Sequence, residues 1–174
     1  MRAEALRERL AGLPARRRSF QAWRAVRPAY ELLGTQGSRL HGGRWNPPGV
    51  AVLYCGLAPA TVRAEWARMM ERQGLPESAA YPLRLGQIAV RARAVDLRKN
   101  GALEALGIEE PVSVLTPIEP SRAIGAAAAR EGIGALLVPS VTGVGSNLVV
   151  FAENLEQPAE VVEASTLRGP AAWA

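Results

Sequence analysis

The sequence predicts a single domain of mixed α+β class. Two observations carry this expectation. Short apolar runs of strand length, such as VAVLY at 50–54 and ALLV at 135–138, are interspersed with stretches whose apolar residues recur at helical spacing. The 174 residues also show no internal repeat and no linker that would divide them, and that length suits one core. About six or seven strands and three or four helices are expected.

The elements follow in order. Residues 2–12 place Ala5, Leu6, Leu10 and Leu13 at helical spacing and read as a short amphipathic helix. Pro14 with Arg16, Arg17 and Arg18 reads as a break. Residues 20–26 (FQAWRAV) alternate loosely as a first strand, with Trp23 and Arg24 on opposite faces. Residues 34–49 hold five glycines and two prolines, a density of breakers that predicts a long structured loop without regular elements. A buried strand follows at 50–54. Pro59 then opens a helix through residue 73, with Val62, Trp66, Met69 and Met70 as its apolar stripe, Glu65 beside that stripe and Gly74 as its stop. Strands are expected at 81–92 and 93–97, a short helix at 99–106, and an irregular Pro-punctuated stretch at 108–120. A helix around AIGAAAA covers 120–132. Strands at 135–138 and 147–151 flank PSVTGVGS, and 161–165 is a last edge strand.

The net charge of +5 rests on arginine almost alone, Lys99 being the one lysine. With the richness in Ala, Gly and Pro, this fits the codon bias of a GC-rich genome. The functional alternative is a site for phosphate-bearing ligands, whose geometry the guanidinium fork matches. A nucleic-acid face would mass cations on one element, and only Arg16, Arg17 and Arg18 form such a run. One cysteine and one histidine exclude a disulfide framework and a Cys- or His-cluster metal site. The N-terminal MRAEALRERLAGL lacks the apolar core of a signal peptide, and no stretch approaches the ~20 apolar residues of a membrane span. A cytoplasmic protein is expected.

Three places carry candidate chemistry. GGRWNPPG at 42–49 combines glycines that let backbone approach a ligand, Arg44 as a phosphate clamp, Trp45 as a stacking face and Asn46 as a two-way hydrogen bonder. The alternative is a tight turn with Arg44 solvated. Tyr54 ends a strand where it can stack on a flat ligand or cap the core. Glu65, beside Trp66, can stabilise a developing cation or simply pair with a helical neighbour. Ser140 follows a buried strand, and Asn147 opens the next. No GxSxG elbow surrounds Ser140, so it reads as a hydrogen bonder and not a nucleophile, or as a turn residue. His41 reads as exposed or structural, and Cys55 as a small buried filler.

Taken in order, WR at 23–24, GGRWNPPG at 42–49, LYCG at 53–56, TVRAE at 61–65, VPS at 138–140 and NLVVF at 147–151 resemble the RES domain, a family named for an arginine, a glutamate and a serine. The resemblance divides the chain into an N-terminal helical extension at 1–18, a RES domain at 19–167 and a C-terminal tail at 168–174. It implies a mixed, mainly antiparallel α+β fold with flanking helices, like that of the ADP-ribosyltransferases. It also implies the toxin of a toxin–antitoxin pair, one that degrades NAD⁺ at its nicotinamide–ribose bond with phosphate or water as acceptor. In that reading Glu65, Arg44 and Tyr54 are catalytic, and Arg24, Trp45, Asn46, Ser140 and Asn147 bind substrate. Arg24 and Arg44 would hold the phosphates, Tyr54 would pack on the nicotinamide or its ribose, and Ser140 would orient that ribose. NAD⁺ is then a substrate, inorganic phosphate a co-substrate, and no cofactor or metal is required. The expected partner is an antitoxin with a helix-turn-helix domain; no membrane or direct nucleic-acid contact is expected, and a homo-oligomer is left open. The competing readings are a mono-ADP-ribosyltransferase with a protein target and a basic, non-enzymatic nucleic-acid-binding module.

Overall fold

The computed structural model describes residues 2–99, 101–109, 112–113 and 115–173. Among them the α-helices are α1 (Ala3–Ala11), α2 (Gln36–His41), α3 (Pro59–Arg72), α4 (Ala102–Ala105) and α5 (Ile118–Arg130). The strands are β1 (Ala15–Val26), β2 (Val52–Gly56), β3 (Leu83–Asp96), β4 (Ala135–Pro139), β5 (Ser146–Phe151) and β6 (Glu160–Leu167). The fold is mixed α+β, with one sheet and flanking helices. Every pairing is antiparallel except β3 with β4.

The strands run in the order β1-β2-β5-β4-β3-β6, and β3 pairs back with β1 along its length, so five strands close into a ring. β6 lies along residues 83–89 of β3 as an exposed edge. The ring is thinnest between β1 and β2, which share the single pair Trp23 with Gly56. Side chains alternate across the sheet. Leu53, Cys55, Ile88, Val90, Leu137 and Leu148 pack together on one face. Their neighbours Val52, Leu136, Val138, Val149 and Phe151 pack on the other, against Leu6 and Leu10 of α1 and Ile124 and Ala128 of α5. Strands covered on both faces read as unbroken apolar runs, which is why 135–138 and 148–151 stand out in the sequence.

Local chemistry explains the helix ends. Pro59 starts α3, where a missing N–H costs nothing, and Gly74 stops it at φ +68°. There the Gly74 N–H donates to Glu71 and the Leu75 N–H to Met70, the two bonds of a Schellman motif.

Three local expectations change. Residues 34–49 were expected to hold no regular element, yet α2 forms there. The Ser38 hydroxyl donates to the Val52 carbonyl at 2.7 Å and accepts from its N–H at 3.1 Å, so β2 holds the short helix in place of intrinsic propensity. Residues 14–18 do not break the chain: Arg16, Arg17 and Arg18 belong to β1, carried by their pairing with residues 92–94 of β3. The strands expected at 81–92 and 93–97 form one continuous β3. Of the residues expected as an N-terminal extension, α1 packs on α5, with Arg7 bonded to Glu131 at 2.6 Å, and 15–18 start β1. The stretch expected to be irregular at 108–120 includes 110, 111 and 114, which lie outside the described residues, and its last residues begin α5. The short helix expected at 99–106 is α4, although residue 100 is likewise outside them.

Candidate functional site

A cleft of about 600 Å³ opens where β1 and β2 splay apart, between α3 and the 42–46 turn. That size suits a mid-sized organic ligand. The ends of β2, β4 and β5 meet there, because Gly56 pairs with Asn147 and Asn147 with Val138. Beyond β4 the chain turns through Ser140, whose N–H donates to the Gly145 carbonyl at 3.1 Å.

Glu65, Ser140 and Asn147 converge on this corner from three elements. Glu65 Oε1 accepts from Ser140 Oγ at 2.6 Å and from Asn147 Nδ2 at 2.9 Å. Since Ser140 gives its proton to the carboxylate, Thr142 Oγ1 is the donor in their 2.7 Å contact. A chain of donors therefore runs from Thr142 through Ser140 to Glu65. It pins one carboxylate oxygen of a half-buried side chain on the cleft wall, and Oε2 has no partner among the described residues. Ser140 is buried and its hydroxyl is spent on Glu65, which fits a positioning hydroxyl and not a nucleophile.

The 42–46 turn has a different internal logic. Its Gly43 N–H donates to the Asn46 carbonyl at 2.9 Å, and a Cβ on Gly43 would sit 2.5 Å from the Tyr54 hydroxyl, so only glycine lets the turn lie on that ring. The Tyr54 hydroxyl accepts from the Trp45 N–H at 2.9 Å and donates to Asn46 Oδ1 at 2.6 Å. Asn46 Nδ2 in turn reaches the Ser38 and Val50 carbonyls at 2.9 Å each. Burial pushes the Tyr54 phenol well above its ordinary pKa, which keeps it a neutral donor.

One expectation is corrected here, and a second is narrowed. Asn46 was expected to bind substrate, but it is fully buried, does not line the cleft, and spends its amide on the loop it belongs to. Trp45 was expected to offer a stacking face; it does line the cleft, but only 3% of it is exposed and most of the residue packs in the helix-side core. Both anchor the turn that carries Arg44, through the Tyr54 hydroxyl. The Tyr54 ring reaches the cleft, although its hydroxyl is committed to the turn.

Arg24 and Arg44 both line the cleft. Trp23 joins them, although strand geometry sets it opposite Arg24, because the cleft opens at the edge β1 leaves unpaired. Arg24 Nη2 donates to the Gly34 carbonyl at 3.0 Å, while its Nε is buried without a partner. Leaving a charged donor dry costs roughly 1–3 kcal/mol, so this nitrogen is the group a bound anion would satisfy. Burial also holds the Arg24 pKa below its ordinary value. The same holds for Arg44, chiefly through burial and then through the cations of Arg68 and Arg72, with Glu65 opposing. Sequence reading passed over Arg68 and Arg72 as ligand groups. Their signal was present as helical spacing of three and seven residues beyond Glu65.

Cys55 is buried, and that burial raises its thiol pKa to about 11, with Arg24 opposing weakly. The thiolate is the reactive form. Native protein at pH 8 is therefore expected to resist a thiol-specific disulfide reagent, and denatured protein to titrate one thiol per chain; fast labelling of the native form would contradict this burial. Among the described residues no three His, Cys, Asp or Glu side chains cluster as a metal site requires, and no helix is long and apolar enough to cross a membrane.

Fold and site together define an α+β protein with one carboxylate set in an arginine-lined cleft. The model of the RES domain matches residues 21–173, and the chain belongs to the RES domain family. It is similar to a chain in the crystal structure of the M. tuberculosis MbcT–MbcA toxin–antitoxin complex. That likeness has a TM-score of 0.88 at 25% sequence identity, over 98% of this chain and 95% of that one. No curated protein matches.

Proposed function

We propose that the protein is the toxin of a toxin–antitoxin pair and that it cleaves the nicotinamide–ribose bond of NAD⁺. The observation that carries this reading is the Glu65 carboxylate, held by Ser140 and Asn147 on the wall of an arginine-lined cleft. When the C1″–N bond breaks, its electron pair leaves with nicotinamide and the ribose becomes an oxocarbenium-like cation. Glycosidases meet the same charge with carboxylates. Glu65 Oε2, with no protein partner among the described residues, is the atom placed to face that cation or to accept from the 2″-hydroxyl. Preorganisation by Ser140 and Asn147 means little reorganisation is needed as charge develops. Membership of the RES family and likeness to a structure that contains a toxin and its antitoxin support the biological role. The partner in this reading is a helix-turn-helix antitoxin, and the setting is the cytoplasm.

The acceptor is phosphate or water. An arginine-rich cleft favours phosphate, whose oxygen would bond to C1″ and give ADP-ribose 1″-phosphate. A mono-ADP-ribosyltransferase would use the same carboxylate with a protein nucleophile. Incubating the purified protein with NAD⁺, with and without inorganic phosphate, separates these chemistries by product chromatography. NAD⁺ loss that yields ADP-ribose 1″-phosphate only in the presence of phosphate is the expected result. Free ADP-ribose would assign water as acceptor. NAD⁺ that survives until a protein is added and modified would assign the transferase, and NAD⁺ that survives all conditions would overturn the reading.

A further inference from the structure

Glu65, Arg68 and Arg72 lie on one stripe of α3, at spacings of three and four residues, and all three line the cleft. Like charges four residues apart disfavour a helix in isolation. Arg44 projects from the facing turn and lines the same cleft; its pKa is lowered chiefly by burial, then by the cations of Arg68 and Arg72, with Glu65 opposing. Arg24 also lines the cleft, from β1, with the Gly34 carbonyl as its partner. None of the six ion pairs among the described residues uses Arg44, Arg68 or Arg72. Arg44 has the Thr116 carbonyl at 2.9 Å, a neutral partner. Three guanidiniums that repel one another around open space are arranged for a polyanion.

We propose that Arg68 and Arg72, together with Arg44, form a diphosphate subsite that makes the protein select a dinucleotide over a mononucleotide. The identity of the substrate rests on the NAD⁺ reading; the subsite itself rests on the arginine stripe. At a helical rise of about 1.5 Å per residue, Arg68 lies about 4.5 Å and Arg72 about 10 Å along the axis from Glu65. Those steps bracket the path from a ribose C1″ held at Glu65 to the two phosphorus atoms of its 5′-diphosphate. Two phosphates engage both arginines, whereas a single phosphate reaches only one end of the stripe. The guanidinium fork suits this role better than an ammonium, because it grips two phosphate oxygens at once.

The test is ADP-ribose binding by calorimetry at fixed ionic strength, with steady-state kinetics on NAD⁺ and nicotinamide mononucleotide. Each lost charge-assisted contact is worth about a factor of ten in affinity. R68Q/R72Q is therefore expected to bind ADP-ribose about 100-fold more weakly and to raise the KM for NAD⁺ in parallel, with kcat held within about threefold. Its preference for NAD⁺ over the mononucleotide, as a ratio of kcat/KM, should shrink about tenfold. R68K/R72K keeps the charge but not the fork and is expected to fall between the two. It carries the test if the glutamine variant does not fold. ADP-ribose binding within about twofold of wild type in a folded variant would overturn the subsite. Wild-type protein that binds ADP-ribose through these arginines but leaves NAD⁺ intact would overturn the NAD⁺ reading and leave the subsite standing. NAD⁺ cleavage with an unchanged KM in the variant would do the reverse.

Discussion

Glu65→Gln is expected to lower kcat for NAD⁺ cleavage about 10²–10³-fold, the range seen when one preorganised group is removed from a developing charge. The glutamine carbonyl can still accept from Ser140 Oγ and Asn147 Nδ2, which Glu65 holds at 2.6 and 2.9 Å, so the corner keeps its geometry. What disappears is the negative charge that, in the proposed reaction, faces the ribose cation. KM should therefore move little, because the loss falls in the transition state and not in the ground-state complex. Nicotinamide release measured alongside thermal unfolding checks both halves of this expectation. Turnover within a factor of a few of wild type would sink the catalytic assignment of Glu65. Glu65→Ala is the harsher variant: it strands the Asn147 amide, and its stability loss would blur the kinetic one. If the toxin reading holds, the glutamine variant should also relieve growth arrest at unchanged protein level.

Much of the fold was legible because its strands are covered on both faces. The runs at 50–54, 135–138 and 148–151 are continuous apolar segments, and the structure places their strands side by side in the ring. The helix from Pro59 was legible from its first-turn proline and its terminal glycine. α2 was hidden because its support, the Val52 backbone on Ser38, lies fourteen residues away in sequence. The arginine run at 16–18 looked like a break because intrinsic patterning cannot show that β3 pairs with it. In the site, the ordered motifs brought Glu65, Ser140 and Asn147 to one corner. Asn46 misled, and Trp45 offers less open surface than expected, for one reason: a polar amide or an indole in a Gly-rich loop looks available until its partners are known. Here the partners are the loop's own carbonyls, the Tyr54 hydroxyl and the helix-side core. Arg68 and Arg72 were missed because arginine on an amphipathic helix is the ordinary solvated face, and only the cleft sets them apart.

Gly125→Ala is expected to destabilise the protein, against what its helix alone predicts. Inside the AIGAAAA stretch of an isolated helix, replacing glycine by alanine gains up to about 1 kcal/mol. At this position α5 passes so close to the 42–46 turn that a Cβ would overlap the Trp45 carbonyl oxygen, with the Asn46 nitrogen 3.4 Å away. Neither neighbour can give easily. The turn is held from beneath by Asn46, whose amide reaches the Ser38 and Val50 carbonyls, and by the Tyr54 hydroxyl. α5 is seated by Ile124 and Ala128, both fully buried in the core. A forced shift of packed backbone costs about 1–3 kcal/mol, and in a domain of this size each kcal/mol lowers Tm by about 2–4 °C. The strain also reaches function, because Arg44 sits between the displaced Trp45 and Gly43, whose carbonyl accepts from Arg122 Nε of α5 at 2.8 Å. A fall in kcat/KM should therefore accompany the fall in Tm, although Gly125 does not line the cleft. A melting temperature above that of wild type would show that α5 does not approach the turn this closely. A lower Tm with unchanged kcat/KM would show that the strain relaxes into the helix and leaves Arg44 where it was.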